Sequence, residues 1–99
     1  MPEQYRVVAL RFKKTPYYRR QDQDVKVLPT HCSVPGIASV GDIHVQSTPL
    51  EAEVYLAVPH FAETPDEFDR QRNQHEEDWW QKAEDACRKH VAPRPILFR

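Results

Sequence analysis

Glycine is nearly missing from this chain, standing only at Gly36 and Gly41, and cysteine stands only at Cys32 and Cys87. Two thiols are too few for a disulfide framework and read as reduced, buried groups. No apolar run approaches the ~20 residues that a membrane-crossing helix needs. The opening residues Met1, Pro2, Glu3 and Gln4 lack the basic and apolar regions of a signal peptide. The expectation is therefore a cytoplasmic protein that does not touch a membrane. No catalytic or cofactor motif occurs, which points to a non-enzymatic protein with no cofactor. Apolar residues make up 39%, below the usual share, and charged residues 29%, slightly above it. That balance is polar without being disordered in character. The 99 residues suffice for a single domain, 1–99, with one layer of helix on one layer of sheet.

What is present is a charge asymmetry. Residues 1–26 carry Arg6, Arg11, Lys13, Lys14, Arg19, Arg20 and Lys26 against Glu3, Asp22 and Asp24, a local balance of +4, while the remainder carries −5. A basic N-terminal third can address an acidic partner while the acidic remainder faces elsewhere.

The longest periodic stretch runs from Thr64 to Val91. Thr64 as cap, Pro65 at the first helical position and Glu67 able to reach back make a helix start, and the periodicity predicts a helix over 65–91. At 100° per residue, Phe68, His75, Trp79, Ala83, Ala86 and His90 share one stripe, with Trp80, Cys87 and Val91 at its edge. Glu67, Gln74, Glu77, Gln81, Glu84 and Arg88 fall opposite, as a solvated outer face. Acid-before-base pairs Asp66/Arg70, Asp78/Lys82, Glu84/Arg88 and Asp85/Lys89 support the helix from within, at about 0.2–0.5 kcal/mol each.

Upstream, Gln4 to Lys13 alternates as a strand with Val8, Leu10 and Phe12 inward, and the half-apolar other face of Val7 and Ala9 suggests a central strand or one covered by a partner. Lys14 to Asp24 reads as a loop or long hairpin tip and Asp24 to Leu28 as a short return strand. Asp42 to Ser47 and Glu51 to Val58 read as strands. The second is ambiguous, because Thr48, Pro49 and Glu51 repeat the helix-start pattern and Leu50, Val54 and Val58 fit a helical period. The tail Pro93 to Arg99, with Ile96, Leu97 and Phe98, should be docked on this molecule or a neighbour. The whole is an α+β fold, a three- to four-stranded, mostly antiparallel sheet with one long amphipathic helix across a face.

Three chemistries can be set against these residues. Lys13, Lys14, Tyr17, Tyr18, Arg19 and Arg20 interleave cations with rings, a composition that suits an acidic protein surface or, through phosphates and stacked bases, a nucleic acid. Cys87 and His90, one helical turn apart, could be joined by His31 and Cys32 in a metal site, though adjacent His31 and Cys32 point to opposite sides of an extended chain. Cys32 could act as a nucleophile, but nothing in the sequence brings a histidine or an oxyanion donor to it. The expectation is a small interaction protein that binds a larger protein with an acidic surface through Lys13, Lys14, Tyr17, Tyr18, Arg19, Arg20 and Trp80, with no metal. A stoichiometric inhibitor of host defence, of the anti-CRISPR kind, is one such setting. The alternatives are a nucleic-acid-binding regulator using residues 13–20 and a small metal- or thiol-dependent enzyme. A homodimer is also compatible with the pattern.

Overall fold

The apolar alternation of the N-terminal stretch forms β1 (Tyr5–Lys13), which sits inside the sheet rather than at its edge. A computed structural model describes residues 5–14, 18–21, 25–28, 33–60 and 64–90, with residue 90 described by its backbone alone. Tyr17, His31, Cys32, Val91 and the tail Pro93 to Arg99, to which the sequence assigned roles, lie outside the described residues. On one side β1 pairs antiparallel along its length with β5 (Glu51–Pro59), from Tyr5 opposite Pro59 to Lys13 opposite Glu51. Its other side is shared by two short antiparallel strands, β2 (Arg19–Arg20) and β3 (Lys26–Val27). β4 (Ile43–Ser47) lies outside β5, so the order is β2-β1-β5-β4 with β3 also on β1. The segment expected as a loop or long hairpin tip, Lys14 to Asp24, contributes the short strand β2 that folds back on β1.

The ambiguous stretch 51–58 is a strand. Neighbours on both sides engage its backbone, and Val54, Leu56 and Val58 enter the core together. The Thr48–Pro49 pattern caps a hairpin instead of a helix: Thr48 N–H donates to the Glu51 carbonyl (2.9 Å) and Glu51 N–H to Thr48 Oγ1 (3.0 Å). A side-chain oxygen in this position serves a turn as well as a helix start, which is why the local pattern could not decide.

The same chemistry at Thr64 does open a helix. Its Oγ1 accepts from Glu67 N–H (3.2 Å), and α1 (Pro65–His90) follows. The helix covers one face of the sheet. Val8, Leu10 and Phe12 of β1, Ala52, Val54, Leu56 and Val58 of β5, and Trp79, Trp80, Ala83 and Cys87 of α1 form one buried cluster that Tyr18 and Val25 complete. Ile43 and Val45 of β4 pack against its rim. Two positions depart from the helical stripe. His75 is exposed, and Trp80, placed at the core edge, is as buried as Trp79. The face away from the helix has a thinner apolar strip, Val7, Ala9 and Ala57, also buried, as the half-apolar second side of β1 required.

Candidate interaction surface

Strand alternation divides the basic-aromatic stretch between two faces. β1 and β2 pair Phe12 with Arg20 and Lys13 with Arg19. Because directly opposed residues share a face, Phe12 and Arg20 turn to the helix and Lys13 and Arg19 turn away from it.

On the helix side Arg20 is fully engaged. Its Nη1 and Nη2 each donate to a Glu77 oxygen at 2.8 Å, and its Nε donates to Glu84 Oε1 at 2.9 Å. The guanidinium carbon lies 5.3 Å from the Trp80 ring centre, and that indole meets Phe12 edge-on at 5.3 Å and 87°. Hydrogen bonding to Glu77 is the largest reason the Arg20 pKa is raised further, and the same bonds hold the Glu77 carboxyl below its ordinary value. Two residues earlier, Tyr18 is buried at 4% exposure with φ +38°. A bulky residue in the left-handed region is strained, and here that backbone accompanies a ring set into the core. Burial, with the nearby Cys87, pushes the Tyr18 hydroxyl pKa up. Glu76 adds a third acidic contact from the helix, accepting from Val25 N–H at 3.2 Å.

Three of the residues expected to form the partner surface are instead engaged within the molecule. Tyr18, Arg20 and Trp80 are structural: they fasten the β1–β2 hairpin to α1. The helix face read as solvated, Glu77 and Glu84, supplies the anchors. A signal was present in the sequence, since Glu77 and Glu84 flank Trp80 by three and four residues and so frame it on one strip of the helix.

Lys13 and Arg19 remain exposed, and Lys14 is half-buried at the strand end. Lys26 of β3, opposite Ala9, is exposed on the same face as Lys13 and Arg19. Four residues of β1 separate the two positions, about 13 Å along the strand. Among the described residues none of Lys13, Arg19 and Lys26 has an ion pair. The carboxylate directly opposite Lys13, Glu51, is occupied by Arg11 at 3.0 Å, and Glu53 lies 3.7 Å from the same guanidinium. The face thus holds a neutralised centre, Arg11 with its two acids, beside an unneutralised outer strip.

No group of ligating side chains suited to a metal occurs among the described residues. Cys87 is fully buried, and burial first, then Glu84, pushes its thiol up to about 11, so the sulfur holds its proton at neutral pH. His60 packs its ring 5.9 Å from Phe68, with the Arg6 guanidinium 5.0 Å above the same phenyl ring. Burial, reinforced by Arg6, lowers the His60 pKa. This cluster secures the start of α1 to the ends of β1 and β5. No helix among the described residues is long and apolar enough to cross a membrane.

The frame is an α+β pair of layers, an antiparallel sheet under one long helix. No family model matches the chain, and neither a curated protein nor a solved structure is significantly similar to it.

Proposed function

We propose that this is a non-enzymatic interaction protein that binds an acidic surface of a larger protein through Lys13, Arg19 and Lys26, with Lys14 at the hairpin end. The observation that carries the reading is the sorting of the basic stretch: Arg20 is consumed by Glu77 and Glu84, whereas three cations on the opposite face have no counter-charge among the described residues. The hairpin that displays Lys13 and Arg19 is braced from behind, so little ordering cost accompanies binding. Burial of Tyr18 weighs against a nucleic-acid surface, because it takes away a ring on which a base would stack. A stoichiometric inhibitor of a host-defence assembly is a setting that a small, rigid, charged face suits.

The test compares the wild-type chain with Lys13→Ala/Arg19→Ala on two immobilised polyanions, polyglutamate and random-sequence DNA, across a salt series. The expected result is retention on polyglutamate that the double variant loses and that DNA does not exceed. Stronger, steeply salt-dependent retention on DNA would replace the protein partner by a nucleic acid. Equal retention of wild type and variant on both would remove these residues from the surface.

A further inference from the structure

The two edges of the sheet are not alike. The β2/β3 edge is guarded by the cations Arg19 and Lys26, whereas the β4 edge reads Ile43, His44, Val45, Gln46, Ser47, with no lysine, acid or proline. Natural sheets protect their edges with such residues against pairing with other chains.

The hydrogen-bond pattern shows which groups face outward. Ala57 N–H donates to the Asp42 carbonyl (3.0 Å) at one end of the β4–β5 ladder, and Thr48 N–H to the Glu51 carbonyl (2.9 Å) at the other. Antiparallel ladders alternate bonded and non-bonded pairs, so His44 and Gln46 bond to Tyr55 and Glu53 across β5. Ile43, Val45 and Ser47, opposite Leu56, Val54 and Ala52, direct their N–H and C=O groups away from the sheet. Among the described residues these groups have no backbone partner. Gly41 N–H also donates to the Ala57 carbonyl (2.9 Å), so Gly41 and Asp42 together oppose Ala57 and form a bulge that ends the straight edge just before Ile43.

We propose that a second copy of this chain occupies this edge, β4 pairing antiparallel with β4 about a two-fold axis through Val45. Three features select a second copy over an unrelated strand. With Val45 on the axis, Ile43 falls opposite the partner copy's position 47 and Ser47 opposite its position 43, so every outward group finds a partner within a strand of the same length. On the reverse face the same register sets His44 against position 46, a donor–acceptor side chain against an amide, with no like charges. On the helix face the rim that borders Ile43 carries Lys82, Asp85 and Lys89, and Asp78 lies one turn before Lys82. This alternation of sign lets two identical rims approach without net repulsion, unlike the basic edge across the sheet. The inference does not depend on the acidic-partner reading, because the cations of that reading lie at the far edge.

The test is self-association of the full chain by sedimentation over a wide concentration range, with amide hydrogen exchange at the two concentration extremes. The expected result is a monomer–dimer equilibrium in which the amides of Ile43, Val45 and Ser47 become protected as concentration rises, while those of His44 and Gln46 are protected throughout. Val45→Lys sets two ammonium groups against each other on the axis, and Ser47→Pro removes an outward N–H that β5 does not use. Each weakens the dimer by about tenfold or more, and Arg19→Ala leaves it unchanged. Should Val45→Lys disturb folding through its half-buried position, Ser47→Pro at an exposed site still decides. A monomer at every concentration, or a dimer in which Ile43, Val45 and Ser47 exchange freely and Ser47→Pro has no effect, would overturn the proposal.

Discussion

The two sides of the β1–β2 hairpin are built from one run of similar residues and do opposite work. Facing the helix, Phe12, Tyr18 and Arg20 are packed, bonded and stacked; facing away, Lys13 and Arg19 are exposed and without a counter-charge among the described residues. Arg19 and Arg20 are chain neighbours of identical chemistry, yet the two-residue period of a strand sends one to a carboxylate pair and the other to water. The lesson is that a basic-aromatic cluster cannot be taken as one surface until its strand register is known.

The contrast can be broken most forcefully at Trp80. Trp80→Ala removes the indole that lies between Phe12 and Arg20, and a loss of about 3–5 kcal/mol in urea-unfolding stability is expected, as for other large-to-small core changes. Next comes Arg20→Ala. It leaves the half-buried Glu84 with Arg88 alone, 3.6 Å away, and is expected to cost about 1–2 kcal/mol, with Arg20→Lys recovering only part because an ammonium cannot span both carboxylates. Acid titration sharpens the comparison further. His60 has a lowered pKa in the folded state, so the unfolded chain takes up its proton first, and stability should fall as pH drops below about 6.5. Glu77 is likewise depressed by Arg20, so its contribution is present above the ordinary carboxylate value and is lost only as pH falls through its lower folded value. His60→Asn should flatten the first window and Glu77→Gln the second, each read from unfolding midpoints across pH. The smallest effect belongs to the other side of the hairpin: Lys13→Ala and Arg19→Ala should leave stability within about 0.5 kcal/mol. A large loss there would mean that these cations brace the fold as Arg20 does.

Much of the frame was legible in the residues. The helix start at Thr64 and Pro65, the inward row Val8, Leu10 and Phe12, and the central place of β1 follow from local capping and from periods of 3.6 and 2, which need no knowledge of distant partners. What the sequence misassigned depended on distant partners. Thr48 and Thr64 carry the same local signal, and only the pairing of β5 on both sides makes one a hairpin. Tyr18 turns inward through a left-handed backbone that no propensity announces. Glu77 and Glu84 looked like a solvated face because the cation they hold lies 57 and 64 residues away in the chain. His75 fits the helical stripe and still reaches solvent, lining an open cleft beside Pro59, Gln71 and Trp79 although Phe68 and Trp79 on either side of it are buried.

Cys87 gives the packed side of the hairpin a chemical timekeeper. Its sulfur is sealed under the sheet and holds its proton well above neutral pH. A thiol reagent can reach it only in the moments when α1 lifts from β1 and β5. In a Cys32→Ser background the labelling rate therefore counts how often the two layers part, and any ligand that clamps them together would slow that clock without touching the sulfur itself.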